Sequence, residues 1–156
     1  MNLNEMNNAF DLIENLRSHG WDPLEIPVDV EKIAALYGVT IDSNFEPRFL
    51  EKLAAVEGKR IWINPIDPNE YTALRRHIVA HELGHIVLHS AADQPLHFTD
   101  TTTTLRGYAL TLTPDKKAVE VAANEFAAEL LLPIEKVKSF LNGKPGMFDL
   151  DTDQIL

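Results

Sequence analysis

A chain of 156 residues without a cysteine has material for one hydrophobic core, and it excludes disulfide staples and thiolate metal sites, so any metal must be held by histidine and carboxylate. Fourteen basic against 24 acidic residues give a formal charge of −10 and a pI near 4.9. This balance argues against direct nucleic-acid binding and is compatible with a basic protein partner, or with solubility alone. No apolar run approaches the ~20 residues that cross a bilayer, and MNLNEMNNAF lacks the basic and apolar regions of a secretory signal, so a soluble cytoplasmic protein is expected.

In chain order, residues 1–19 carry Leu3, Met6, Phe10, Ile13 and Leu16 or Leu12 at helical spacing, which predicts a first amphipathic helix. After the turn-rich GWDPLEIP, VDVEKIAALYG predicts a second helix, with Asp29 near its start and Gly38 as its stop. VTIDS is a short strand candidate. FLEKLAAVEGKRIWIN reads as a hairpin in which Glu57-Gly58 turns between Leu53–Val56 and Arg60–Asn64.

Asp67-Pro68-Asn69 offers a helix start, and the proline-free stretch from Tyr71 to His89 carries an apolar stripe, predicting a long helix. Residues 90–114 contain prolines and a threonine run and are expected to be an extended connection with at most one short strand. Pro114-Asp115 then opens a second long helix over DKKAVEVAANEFAAELLL, ended by Pro133 and followed by a shorter helix, IEKVKSFLNG, and a polar tail. No internal repeat and no linker divides the chain, so residues 1–156 are expected to form a single domain.

Four of the six histidines fall in HIVAHELGHIVLH, residues 77–89. Residues four apart share a helix face, so His81 and His85 can meet one metal ion in the H-E-x-x-H arrangement. Glu82, about 100° round the helix axis from His81, is kept from ligating and is placed as a general base. Two imidazoles and one oxygen ligand around zinc leave a fourth position open for water, whose pKa the ion lowers to about 7. Gly84 costs its helix about 1 kcal/mol and suggests that something packs closely there.

The third ligand is less directly legible. His89 lies ~12 Å of helix rise from His81 and reads as a residue that supports the ligands from behind or caps the helix end. His77, upstream by the same logic, reads as a partner or surface histidine. The longer H-E-x-x-H-x-x-G-x-x-H pattern fails, because Leu88 stands where glycine is needed and Ala91 where the third histidine is needed. A carboxylate from VEVAANEFAAELLLP remains. Glu125 and Glu129 share a face suited to solvent, whereas Glu120 shares one with Asn124, Ala127 or Ala128, and Leu131. Periodicity favours Glu120 modestly and leaves the other two open.

RRHIVAHELGHIVLH followed further along by EVAANEFAAELLLP resembles the ImmA/IrrE family of zinc metallopeptidases. The likeness extends less sharply to PVDVEKIAALYGVTI and KRIWINP and covers most of residues 27–140. It implies an α+β fold of the gluzincin type: a compact zincin with a small antiparallel sheet, an active-site helix carrying H-E-x-x-H and a second, glutamate-bearing helix. It also implies one Zn2+ per chain held by His81, His85 and Glu120, with Glu82 as catalytic base and Asn124 orienting the ligands without binding the ion. By the same likeness RIWIN would be the sheet edge above the cleft, with an interior or merely exposed strand as the alternative. An oxyanion donor is expected, and Tyr71, His77, His97 and Tyr108 are all candidates.

Members of that family typically act inside bacterial cells and mobile elements, cleaving or inactivating a helix-turn-helix transcriptional repressor, and some sit beside such a regulator in toxin-antitoxin-like pairs. No helix-turn-helix segment is identifiable in this chain, so the resemblance implies a zinc metalloendopeptidase whose substrate is a separate DNA-binding repressor or antitoxin-like protein. The alternative is a zinc-stabilised binding module that sequesters a regulator without proteolysis.

Overall fold

Asn8 divides the N-terminal apolar run into two pieces. Its extended backbone and its Oδ1, which accepts from Asp11 N at 2.9 Å, cap α1 (Ala9–Ser18), while Leu3–Glu5 form a separate 3-10 turn. In this phase Leu12, Ile13 and Leu16 are buried and Phe10 is 58% exposed. The continuous helix expected over residues 1–19 is therefore a turn, a cap and a helix, and Phe10 leaves the core stripe. The computed structural model describes residues 2–21, 27–43, 52–64, 72–89, 97–99 and 114–143. Tyr71, Tyr108, the helix start at Asp67-Pro68-Asn69, most of the 90–114 connection and the polar tail lie outside the described residues.

α2 (Val30–Leu36) is capped by Asp29, whose Oδ1 accepts from Lys32 N at 3.0 Å. It stops where Gly38 takes φ 73°. There Val39 N donates to Ala34 O and Gly38 N to Ala35 O, the paired bonds of a Schellman ending that only a left-handed residue allows at low cost.

Among the described residues four strands follow: β1 (Thr40–Asp42), β2 (Ala54–Glu57), β3 (Arg60–Ile63) and β4 (His97–Thr99), in the order β1-β3-β2-β4. β2 and β3 form the expected hairpin, but Glu57 pairs with Arg60, so the loop is Gly58-Lys59, one residue later than the sequence suggested. Gly58, at φ 58°, supplies the left-handed first position of a two-residue loop. β4 adds antiparallel to β2, and β1 adds parallel to β3. The sheet is thus antiparallel through β3, β2 and β4, with one parallel pair at its far side.

This order corrects the expectation for RIWIN. β3 is flanked on both sides, and Ile61, Trp62 and Ile63 are each at most 3% exposed. A strand so apolar on both faces belongs inside a layered sheet. Among the described residues the outer strand on the hairpin's other side is β4.

α3 (Thr72–Leu88) is the centre of the fold. Every residue from Ile78 to Val87 is buried, as befits a helix enclosed on all sides rather than one with a single apolar stripe. Ile78, Val79, Leu83 and Ile86 share one cluster with Ile33, Val56, Ile61 and Ile63 from α2 and the sheet, and with Phe126, Ala127 and Leu130 of α4 (Pro114–Leu131). Each fully buried Leu, Ile or Phe contributes roughly 1.5–3 kcal/mol. Past Pro133, α5 (Ile134–Asn142) buries no residue completely and is tied back to α1 by the Arg17–Glu135 ion pair at 2.5 Å.

Candidate metal centre

The core helix that supplies most of this burial also carries three polar side chains. His81 and Glu82 are 0% exposed and His85 1%, and polar groups at such depth cost several kcal/mol unless each finds a partner. The α-helical spacing of four brings His81 Nε2 and His85 Nε2 within 3.0 Å, the rings meeting edge to face at 80°.

Glu120 reaches them from α4. Its Oε2 lies 3.1 Å from His81 Nε2 and its Oε1 3.4 Å from His85 Nε2. The approach depends on Gly84: a Cβ there would stand 3.1 Å from Ala123 O and 3.2 Å from both Ala123 Cα and Phe126 Cβ. Glycine lets the two helix backbones come close where Glu120, one turn before Ala123, faces the imidazoles. The close packing suggested by a glycine within the helix is therefore a contact between helices.

Asn124 sits one turn beyond Glu120, and its Oδ1 accepts from His81 Nδ1–H at 2.8 Å. With its proton committed on that side, His81 presents an Nε2 lone pair to the cluster. His81, His85 and Glu120 thus bring three electron-pair donors together, all buried and within 4.8 Å of one another. The facing Nε2 atoms need either an imidazole N–H donated from one ring to the other or a metal ion that takes both lone pairs. Donors bound at about 2.0–2.1 Å to one tetrahedral ion stand ~3.3 Å apart, close to the distances observed here. Glu120 Oε2 is sealed from solvent and makes no hydrogen bond among the described residues, the state expected of a carboxylate oxygen facing an ion site, and Glu82 Oε2 is sealed in the same way beside the cluster.

The electrostatics fit an ionised Glu120 beside an unprotonated His85. Burial opposes charge on Glu120, but the facing rings of His81, His85 and His97 outweigh it and hold its carboxyl far below the usual carboxylate range. His85 is pushed below the ordinary histidine value, chiefly by burial, which favours the unprotonated form that a metal requires.

The remaining candidates divide. Glu82 lies next to the cluster, with its Oε1 accepting from the Thr99 hydroxyl at 2.6 Å. His97 comes from β4, its Nε2 2.9 Å from Glu120 Oε1 and its ring centroid 4.2 Å from that of His85. His89 is half-buried at the end of α3, 5.6 Å from the His85 ring, and bonds to the Val119 backbone. His77, 6.5 Å from the His81 ring, also stands apart from the cluster. Both are pushed below the ordinary histidine value, first by burial. Glu125 and Glu129 are exposed.

Thr99 is the site residue that sequence reasoning missed. Its stretch read as a connection, and only the pairing of Ala54 with Thr99 and of Val56 with His97 carries both residues to α3. The available signal was the alternation of His97 and Thr99, which places them on one face of any strand they form.

Comparison with known families finds a match over residues 46–147 to the model of the IrrE N-terminal-like domain, a peptidase family. The matched region contains β2, β3, α3, β4 and α4, hence every residue of the cluster. No curated protein matches the chain.

Proposed function

The chain belongs to the IrrE N-terminal-like peptidase family, and from that membership we propose that it is a zinc-dependent endopeptidase acting on a DNA-binding repressor or antitoxin-like protein. The observation that carries this reading is the buried His81–His85–Glu120 cluster beside Glu82. Two imidazole nitrogens and a carboxylate without any thiolate suit zinc, and three protein ligands leave the open position of a catalytic rather than a structural site.

When bound, zinc would polarise the scissile carbonyl and acidify water. The chain's residues supply the rest. His81, His85 and Glu120 would hold the ion, Asn124 keeping the His81 lone pair directed inward through Nδ1. Glu82, one oxygen held by Thr99, would take a proton at Oε2 and deliver it to the leaving nitrogen. Of the two oxyanion candidates that lie among the described residues, the partly exposed His97 stands at the cluster and His77 stands apart from it.

An extended substrate cannot pair with β3, whose sides are occupied by β1 and β2, so β4 replaces it as the strand beside the site. The charge of −10 would favour a basic partner such as a helix-turn-helix repressor in a bacterium or mobile element. The test is zinc content by elemental mass spectrometry for wild type and Glu120→Ala, then incubation of wild type and Glu82→Gln with a basic repressor. One zinc per wild-type chain, its loss in Glu120→Ala and fragments dependent on Glu82 are expected. A repressor released from DNA but left intact would replace proteolysis with sequestration.

A further inference from the structure

β4 is three residues long, yet it touches both carboxylates on which the proposed chemistry depends. His97 and Thr99 flank Phe98 and therefore project from the same face of the strand. From that face His97 Nε2 comes within 2.9 Å of Glu120 Oε1, and Thr99 Oγ1 donates to Glu82 Oε1 at 2.6 Å. The opposite oxygen of each carboxylate, Glu120 Oε2 and Glu82 Oε2, is sealed from solvent without a hydrogen bond among the described residues, and the buried His97 Nε2 meets Glu120 Oε1 as a close polar contact rather than as a directed hydrogen bond. One strand thus engages one oxygen of the candidate metal ligand and one oxygen of the candidate base.

We propose that β4 is a two-point clamp in which His97 orients Glu120 for metal binding and Thr99 orients Glu82 for proton transfer. The proposal rests on the peptidase reading above and assigns two positioning residues to it. A glutamate carboxyl turns readily about its last torsion and offers two similar oxygens. A partner on one oxygen removes that freedom and determines which oxygen faces the reaction. The register of β4 on β2, with Val56 opposite His97 and Ala54 opposite Thr99, sets both contacts at once. They serve different tasks: His97 governs how tightly the ion is held, and Thr99 governs the base without touching a metal ligand.

That division supplies the test. Zinc affinity of the full chain is measured by competition with a chromophoric chelator for wild type, His97→Ala, Thr99→Val and Thr99→Ser, with folding followed by circular dichroism. The zinc-loaded proteins are then titrated with acetohydroxamate, a zinc ligand that gives up a proton on binding and binds more tightly when a neighbouring carboxylate accepts it. His97→Ala is expected to weaken zinc by about 10–100-fold, as loss of an outer-shell partner does. Thr99→Val should hold zinc within about twofold of wild type but bind acetohydroxamate about tenfold or more weakly, on the scale of one lost hydrogen bond to a charged group. Thr99→Ser should restore that binding.

Unchanged zinc affinity in His97→Ala, equal zinc loss in both variants, or acetohydroxamate binding indifferent to Thr99→Val would overturn the clamp while leaving the peptidase reading intact. A wild-type chain that takes up no zinc would overturn both. His97 is partly exposed and Thr99→Val preserves side-chain shape, so a melting transition lost in either variant identifies β4 as purely structural and also counts against the clamp.

Discussion

A methyl group placed on Gly84 would stand 3.1 Å from the carbonyl oxygen of Ala123, so the backbone contact between α3 and α4 sets how far Glu120 can reach toward His81 and His85. The His81–His85–Glu120 cluster is built on this helix crossing rather than on a loop, and its geometry is as stiff as the core around it.

Gly84→Ala should therefore weaken the site. Alanine gains about 1 kcal/mol of helix propensity, but overpacking a close core contact costs roughly 1–3 kcal/mol, and here the obstructing atoms are mostly backbone. A net loss of about 1 kcal/mol in metal-free stability, with zinc affinity reduced as α4 moves outward, is expected from denaturant melts and chelator competition. Wild-type values in both measurements would show that the helices have room to spare.

Glu82→Gln keeps the size of the side chain and removes its basicity. Zinc binding should persist while cleavage falls by about 10²–10⁴, the usual contribution of a positioned base. Zinc titration alongside a gel-based cleavage assay separates the two, and cleavage at the wild-type rate would remove Glu82 from the mechanism.

Asn124→Leu leaves His81 Nδ1–H buried without its acceptor, which costs about 1–3 kcal/mol and lets the ring take the wrong tautomer. A 10–100-fold weaker zinc affinity is the expected scale. If metal binding is indifferent to this change, the 2.8 Å contact holds α3 to α4 without directing the ligand.

The metal-free protein should lose stability on acidification. Burial holds His77, His85 and His89 below the ordinary histidine value, so below about pH 6.5 the unfolded chain takes up protons that the folded one resists. The stability they contribute is present above that pH and is lost as pH falls through their folded values. Glu120, held low, acts in the same direction below about pH 4.5, where its unfolded form protonates. Urea midpoints in chelator should change little between pH 8 and pH 7 and fall from about pH 6.5 to pH 5, and a midpoint that rises across the lower range would contradict the assigned shifts.

Local chemistry made much of this protein legible before any fold was known. The four-residue step from His81 to His85 defines a shared helix face wherever the helix lies. Asp29, Gly38, Gly58 and Pro133 mark boundaries because caps, left-handed turns and missing amide donors act over a few residues. Short-range periodicity failed at Asn8, where a side-chain cap outweighed the continuity of the apolar stripe and turned Phe10 outward. The tertiary structure alone decided which strand lies inside the sheet, why Gly84 must be small, and that His97 and Thr99 belong beside Glu120 and Glu82. Those outcomes depend on contacts between residues far apart in the chain, and a single sequence carries no local signal of which distant backbone a side chain will meet.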